Sequence, residues 1–570
     1  MTPPPDIILT TLNAKYIHPS LGLRYLLANM GDLKPQTAIR EFTIARKPQE
    51  VVDALLATLD GEAPVSARES SGPRIIGFGV YIWNVCQTLA VIRLLKAARP
   101  DIAVILGGPE VSYETDEQEI VRLADHVITG WGDLSFARLC TALLQGPQPL
   151  MKIIAGEQPD LDRIALPYAE YSDADLINRV VYVEASRGCP FKCEFCLSAL
   201  DKTAWAFDLD RFLGEMDRLY QRGARNFKFV DRTFNLKIDI AGRILQFFLD
   251  RLPAPGSGSS SSGLFVHFEA VPDHLPDPLK ALIARFPPGV LQFEVGIQTF
   301  TVEVQQRISR KQDNDKTDAN LRWLLGRSKA NLHTDLLFGL PGESLESFAA
   351  GFDRLYALGP QEIQLGILKR LRGTPIVRHV AEYRMVFDSA PPYALKESST
   401  VDASTMQRVS RFARYWDLIA NSGRFRKTLP LLLNGRGPDG ENGSAGAEPD
   451  AMESPFHAFL RFSDWLWQRT EKTSGLSPEY LVDVLFDYLS SRCALPVSKL
   501  NAALLADYLA SGARGSPRTL RDQLPKRDPP LQNRPRVVYA STHLLGPLSS
   551  RMEDAQNFDG ATTDAIGQDV

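Results

Sequence analysis

What most restricts this chain is an alternation of short, almost wholly apolar runs with amphipathic stretches, which occurs in two series and then stops. From Asp6 to about Gly146 the runs DIILTTL, AIREFTIA, RIIGFGVYI, IAVILGG and HVITG are separated by helical patterns such as SLGLRYLLANM, PQEVVDALLATL and VCQTLAVIRLLKAA. A strand without a polar face must be covered on both sides, and a parallel sheet wrapped by helices does this. Five such units predict a doubly wound, flavodoxin-like domain over residues 1–150. Ligands of that architecture sit at the carboxyl ends of the strands. The candidate loops are therefore Asn13 to Ser20, Tyr81 to Asn84, Gly107 to Glu110 and Gly130 to Asp133.

The second series begins near Val181, after a linker over residues 151–175, with strands VYVEAS, NFKFVD, LFVHFEA, LQFEVGIQ, HTDLLFGL and EIQLGIL. Six units predict a partial (β/α)6 barrel across residues 176–388, with functional side chains at the strand carboxyl ends. The stretch PAPGSGSSSSG reads as a flexible surface insertion. Beyond Ser389 the period becomes helical: Met406, Val409, Phe412, Trp416 and Ile419, then Leu481, Leu485 and Tyr488, mark buried helix faces. A mainly helical domain is expected over residues 389–512 and a disordered tail over 513–570, with GRGPDGENGSAGAEPDAMES also read as disordered. The fold class is thus α/β with a helical carboxyl-terminal addition.

A chain of 570 residues exceeds what one core supports, and 44% apolar with 23% charged residues is ordinary globular usage. The formal charge of −4 gives no general pull towards nucleic acid or membrane. The start, MTPPPDIILTTLNAKY, has no basic segment followed by an apolar one, and no eighteen-residue apolar run occurs, so a cytoplasmic location is expected. Six cysteines are too few for a disulfide scaffold. Three of them, Cys189, Cys193 and Cys196, fall within RGCPFKCEFCLSA, directly after a predicted strand. Three thiolates can hold three irons of a 4Fe-4S cubane and leave the fourth open to another ligand. A zinc site or simply buried thiols are the alternatives, but zinc prefers four ligands and no fourth Cys or His lies nearby in sequence.

The C-x-x-x-C-x-x-C spacing, Phe195 before the last cysteine and the first-strand position together resemble the radical S-adenosylmethionine superfamily, over roughly Leu176 to Met385. The resemblance implies a cluster on Cys189, Cys193 and Cys196 whose open iron binds S-adenosylmethionine and cleaves it to methionine and a 5'-deoxyadenosyl radical. It makes Phe195 an adenine contact. The family often has a Gly-Gly-Glu-like turn after the second strand; here KFVDRTFN stands instead, so Asp231, with Arg232 beside it, would take the methionine amino group. Glu269, Glu294, Gln298 and Asp335 stand where polar groups would hold ribose hydroxyls or the carboxylate, each of the three carboxylates with a strand-end ion pair as the plainer alternative. Gly339, Gly342 and Glu343 resemble the family's fifth-strand motif. No catalytic residue is named.

A doubly wound domain ahead of such a barrel resembles the cobalamin-binding class of radical S-adenosylmethionine proteins. TLNAKYIHPSLGLRYL, GFGVYIWN and KFVDRTFN look like an uncharacterised branch of it with a helical carboxyl-terminal domain, and this likeness extends to about residue 510. No Asp-x-His-x-x-Gly occurs, and the context of His18 does not fit it, so cobalamin is expected without a histidine lower ligand. Its expected contacts are Tyr81, Trp83, Asn84, Gly107, Gly108 and Gly130, the glycines permitting close backbone approach. The implied function is a cobalamin-dependent methyltransferase on an unactivated centre, served by an electron donor such as flavodoxin or ferredoxin. Radical rearrangement or cyclisation, RNA modification through the basic stretches Lys369 to Arg372 and Arg514 to Arg536, and a cobalamin or redox sensor remain as alternatives. Only Cys86 and Cys140 precede the trio, which disfavours a second cluster of the methylthiotransferase kind. The partners expected are a substrate and an electron donor, with no membrane, and nucleic acid disfavoured.

Overall fold

A computed structural model describes residues 4–61, 74–253, 263–434, 454–493 and 495–524. The segment PAPGSGSSSSG, all but the last residue of GRGPDGENGSAGAEPDAMES and the chain beyond 524 lie essentially outside the described residues. Strands β1 (Ile7–Asn13), β2 (Thr37–Thr43), β3 (Ile75–Gly79), β4 (Ala103–Gly107), β5 (His126–Thr129) and β6 (Ile153–Ala155) form one sheet in the order β2-β1-β3-β4-β5-β6. Every pairing is parallel. All seven residues of β1 are buried because alternate side chains enter two cores: Ile8 and Leu12 pack with Val51, Leu55 and Ile92, and Ile7 and Leu9 with Leu23, Phe136 and Leu139. The strand order reverses at β1/β3, the switch point at which such folds open a ligand crevice.

The second sheet is built from β7 (Val181–Val183) and, after a small antiparallel piece of β8 (Ser186–Arg187) and β9 (Trp205–Ala206), from β10 (Asn226–Phe229), β11 (Phe265–Ala270), β12 (Leu291–Gln298), β13 (Asn331–Phe338) and β14 (Glu362–Ile367). These six run in chain order across an all-parallel sheet, as a partial barrel requires. The helices Ala403–Trp416 and Pro455–Thr470 pack on the barrel helix Leu345–Leu358 through aromatic rings. Phe412 lies 4.8 Å from Phe456 and Trp416 lies 4.9 Å from both Phe352 and Phe459, centroid to centroid. Met406, Val409, Phe412, Trp416 and Ile419, and Leu481, Leu485 and Tyr488, are all buried.

The structure departs from the sequence reading at three places. Residues 153–155, expected in a linker, add the sixth strand of the first sheet, and Tyr168 and Tyr171 further along donate hydrogen bonds to the carbonyls of Glu184 and Tyr182. Three-residue strands and hydroxyl anchors leave no periodicity to read. At the other end, residues 513–524, expected as tail, are folded back: Leu520 is buried, and the amides of Arg518 and Thr519 donate to Asp483. Finally, Arg370 and Arg372 in the basic stretch are ion-paired with Glu110 and Glu114 of the first domain, at 3.0 to 3.1 Å. These two arginines therefore tie the barrel to the first domain.

In a second network between these parts of the chain, Arg24 and Arg179 each contact both Glu41 and Asp175 at 2.8 to 3.1 Å. The two parallel sheets are thereby held with the strand ends of the first domain facing the barrel's cysteine loop. No helix among the described residues is long and apolar enough to cross a membrane.

Candidate active site

A cavity of about 500 Å3 lies between the carboxyl ends of β3, β4 and β5 and the loops around β8. Its wall includes Tyr81, Gly107, Gly108, Gly130, Trp131, Asp133 and Gly132 from the first domain and Glu184, Ser186, Arg187, Asp201 and Arg232 from the barrel. Gly130 adopts φ +72°, and a Cβ there would meet nothing within 4 Å, so its backbone is open to an occupant. Gly108 is glycine for another reason: at φ +111° its Cβ would lie 2.4 Å from the Val80 carbonyl.

Two of the expected contacts do not reach this wall. Asn84 is fully buried, its amide donating to Thr11, Leu12 and Gly79 while its oxygen accepts from the Tyr81 amide, so it shapes the turn after β3 from behind. Trp83 stacks on Tyr81 at 4.4 Å and backs that ring without lining the cavity. A tight turn points successive side chains apart, which the sequence alone did not resolve. His18 lies 2.8 Å from the Tyr182 hydroxyl and also stands away from the cavity.

Barrel and first domain also meet at Arg187, two residues before the first cysteine. Its guanidinium makes two hydrogen bonds to Asp133 (2.9 and 3.0 Å) and one to Glu184 (2.8 Å), and sits 4.4 Å from the Tyr25 ring and 4.9 Å from Trp131. The loop Gly130 to Asp133 was expected at the ligand, but of its residues only Gly130 was named as a contact, and Arg187 was not singled out.

The three cysteines border a second cavity, of about 230 Å3. Cys189 and Cys193 are buried and Cys196 is partly so. Burial pushes the Cys189 thiol up to about 11 and raises that of Cys193 as well, so these thiols are protonated at neutral pH unless a cation takes the place of the protons. Arg310 approaches Cys193 Sγ at 3.6 Å. Among the described residues no group of three or more His, Cys, Asp or Glu side chains is placed to hold a single metal ion. Three thiols around a shared cavity instead suit a larger, multi-iron group. The loop is pinned from outside by Glu194, whose buried carboxylate meets Arg378 and lies 2.8 Å from His379 Nε2 and whose backbone pairs with Ile308 and Ile376. Glu194 too was missed, since nothing distinguishes it in sequence from a charged loop residue.

Phe195, Glu269, Glu294, Gln298 and Asp335 share this second cavity with the cysteines, as do Arg232 and Arg310. Arg232 Nη1 donates to both carboxylate oxygens of Glu269, at 2.7 and 2.8 Å. Burial alone would raise Glu294, but Lys228, His267 and Arg232 bring it well below the ordinary carboxylate range. Burial, followed by the charges of Glu294 and Glu269, keeps Asp335 well above that range, and its Oδ1 is buried without a hydrogen-bond partner. The cavity thus offers a carboxylate acceptor and a neutral carboxylic acid close together. Gln298 owes its place to an irregular register between Gly296 and Gln298 in β12 and to a left-handed backbone, φ +69°, uncommon for a residue with a side chain.

Asp231 is a correction. Its carboxylate accepts from the Ala185 amide (3.0 Å) and Ser186 Oγ (2.6 Å), it is buried, and it lines neither cavity. The side chain following it, Arg232, faces both. The chain turns after β10, so these neighbours point to different sides, and of the Asp231 and Arg232 expected at this site only Arg232 reaches it. Gly339, Gly342 and Glu343 also stand apart: Glu343 accepts from Thr299 and Thr301, and a Cβ on Gly342 would strike Arg307 and Tyr383.

Comparison with known proteins bears on the two domains that meet here. The model of the B12 binding domain matches residues 7–140, and that of the radical SAM superfamily matches residues 183–355. The chain is 29% identical over 261 residues to the uncharacterized methyltransferase PH0819 of Pyrococcus horikoshii, covering 41% of this chain and 53% of that one. It is 23% identical to the cobalamin-dependent radical SAM methyltransferase TokK of Streptomyces tokunonensis, over 52% of this chain and 47% of the other. The chain therefore spans about half the length of these curated relatives. Among solved structures, the cobalamin-dependent S-adenosylmethionine radical enzyme OxsB with aqua-cobalamin bound superposes with a TM-score of 0.55 at 12% identity, over 91% of this chain and 82% of that one. The methyltransferase TsrM of Kitasatospora setae, with tryptophan and a S-adenosylmethionine analogue bound, gives 0.50 at 17% identity, over 66% and 76%. Both share the fold. Residues 7–140 are a B12 binding domain and residues 183–355 a radical SAM superfamily domain, joined in one chain.

Proposed function

We propose that the protein is a cobalamin-dependent radical SAM enzyme of the methyltransferase type. The observation that carries the reading is Arg232, which borders both the cavity under the first domain's strand ends and the cavity of the three thiols. The two sites open towards each other across one side chain. When bound, the cluster, S-adenosylmethionine and cobalamin supply the one-electron and methyl-transfer chemistry.

The chain's own residues divide the remaining work. Cys189, Cys193 and Cys196 would hold three irons as thiolates, with the Arg310 guanidinium near Cys193 offsetting their charge. The buried, unpartnered Asp335 Oδ1 and the ionised Glu294 form a donor and acceptor pair suited to the hydroxyls of a ribose. Phe195 supplies a ring face for the adenine, and the Arg232–Glu269 pair presents a cation for a carboxylate. In the first domain the Gly130 backbone and the Trp83-backed Tyr81 ring offer the approach and the flat wall that a corrin needs. A low-potential donor such as flavodoxin or ferredoxin would serve as reductant. The names of TokK and TsrM support methyl transfer over rearrangement.

The test is anaerobic reconstitution with iron, sulfide and hydroxocobalamin, followed by dithionite and S-adenosylmethionine carrying a deuterated methyl group. 5'-Deoxyadenosine that disappears in Cys193→Ala, together with a retained corrinoid spectrum, is the expected result. Corrinoid that elutes freely would remove the cobalamin reading, and deoxyadenosine with all label left in methionine would replace methylation by rearrangement or cyclisation.

A further inference from the structure

The barrel interior contains a polar row that none of the roles above uses. Strand pairing sets His267 on β11 beside Gln292 on β12, and His333 on β13 beside Glu362 on β14. Gln292, His267 and His333 are almost completely buried, at 1%, 2% and 4% exposure. A polar group so placed persists only when its hydrogen bonds are made, so the pattern of donors and acceptors is determined by the neighbours.

Gln292 Nε2 lies 3.1 Å from His267 Nδ1 and 3.2 Å from His333 Nδ1. An amide nitrogen carries two hydrogens and accepts none, so both Nδ1 atoms act as acceptors and each neutral ring keeps its proton on Nε2. Those Nε2 atoms face carboxylates: His267 Nε2 is 3.0 Å from Glu294, and His333 Nε2 is 2.9 Å from Glu362. The opposite amide orientation would leave two bare imidazole lone pairs against two carboxylates, so both ends of the row select the same arrangement. Burial, together with the nearby Lys228, pushes His267 down to about 4, which agrees with a neutral ring.

We infer that Gln292 is a positioning residue for S-adenosylmethionine: its one amide sets the tautomers of His267 and His333, and through His267 it holds Glu294 in the thiol cavity as a hydrogen-bond acceptor. The inference rests on the reading of that cavity as the S-adenosylmethionine site. Glu294 Oε2 then receives hydrogen bonds from His267 (3.0 Å) and Lys228 (3.5 Å), and the carboxylate turns its remaining acceptor capacity towards the ligand, which must donate. Gln292→Glu reverses the logic, because a carboxylate only accepts: each Nδ1 must acquire a proton, and the rings either become cationic or lose the Nε2 hydrogen that Glu294 requires.

The experiment is nitrogen-15 NMR of the full chain labelled at its eight histidines, before and after cluster loading, with binding of S-adenosylmethionine measured on the loaded protein by equilibrium dialysis. Wild type is expected to show two rings as Nε2–H tautomers with accepting Nδ1 atoms. Gln292→Glu should convert both and weaken S-adenosylmethionine binding by about tenfold, with iron content unchanged. Gln292→Met should leave the rings neutral, lose the tautomer preference and weaken binding less. Two wild-type rings in any other state would overturn the inference even if every variant failed to fold, and so would converted tautomers with unchanged binding. A wild-type protein with the expected tautomers and a loaded cluster but no S-adenosylmethionine affinity would instead discard the reading of the cavity and the positioning role with it.

Discussion

The indole Nε1 of Trp131 donates a 3.1 Å hydrogen bond to Asp201 Oδ2, and the backbone carbonyl of the same aspartate accepts from the Cys189 amide at 2.9 Å. A side chain at the end of the first domain's fifth strand thus sets the loop that carries the first cysteine. Asp201 is further fixed by Thr203, and Gly188 at φ +83° lets the chain pass within contact of both. The wall of one cavity and the ligand loop of the other are one structure.

Trp131→Phe keeps an aromatic side chain but removes the indole donor together with part of the ring area that packs on Arg187. The expected result is a folded protein that loads iron less completely and whose cluster absorbance bleaches several-fold faster in air. The lost hydrogen bond is worth about 1 kcal/mol, concentrated on one loop. Iron and sulfide analysis with timed absorbance spectra checks this; unchanged retention would show that Asp201 is held well enough by Thr203 alone.

Arg372→Ala leaves Glu110, 4% exposed, facing only the Tyr393 hydroxyl at 2.6 Å. Stranding a buried carboxylate costs about 3 kcal/mol, so the thermal unfolding midpoint should fall by several degrees. Glu110→Gln in the Arg372→Ala background should recover much of it. A double-mutant cycle by calorimetry measures the coupling.

Glu343 is buried, accepts from Thr299 and Thr301 through Oε1, and has no partner for Oε2. Burial raises its carboxyl from 4.5 to about 7, so the folded protein binds this proton more tightly than the unfolded chain does. The corresponding stability is fully present below about pH 4.5 and is lost as pH rises through about 7. Glu343→Gln mimics the protonated form and should flatten this part of the stability profile, making the variant the more stable protein at pH 8. Denaturant unfolding at pH 5, 6, 7 and 8 provides the comparison.

Asp335 is held neutral by burial and by its acidic neighbours, so its role as a donor survives in an amide. Asp335→Asn should bind S-adenosylmethionine within a few-fold of wild type, whereas Asp335→Ala should lose about tenfold. Equilibrium dialysis on cluster-loaded protein distinguishes them. Equal losses in both variants would mean that Asp335 acts through its charge.

Whatever depended on local period was readable from residues in order. The six barrel strands, the first five strands of the amino-terminal sheet and the helical faces through Phe412 and Leu485 follow from alternation and from 3.6-residue spacing, because covering an apolar face is a demand each segment makes by itself. Cys189, Cys193 and Cys196 were legible for the same reason: a loop that must present three sulfurs to one group encodes them at short, fixed spacing. Glu269, Glu294, Gln298 and Asp335 could be placed because strand carboxyl ends converge in a barrel.

Tertiary structure alone decided which way a side chain turns at the end of a strand and which distant charge meets it. Asp231 and Arg232 are adjacent in sequence, yet one anchors Ala185 and Ser186 while the other faces two cavities. Arg370 and Arg372 read as a free basic stretch until Glu110 and Glu114, more than 250 positions away, arrive beside them. Hydrogen bonds and ion pairs are made by position in space, and burial then determines which carboxyl keeps its proton. The order of residues specifies each segment's faces, but only their packing brings those partners within reach.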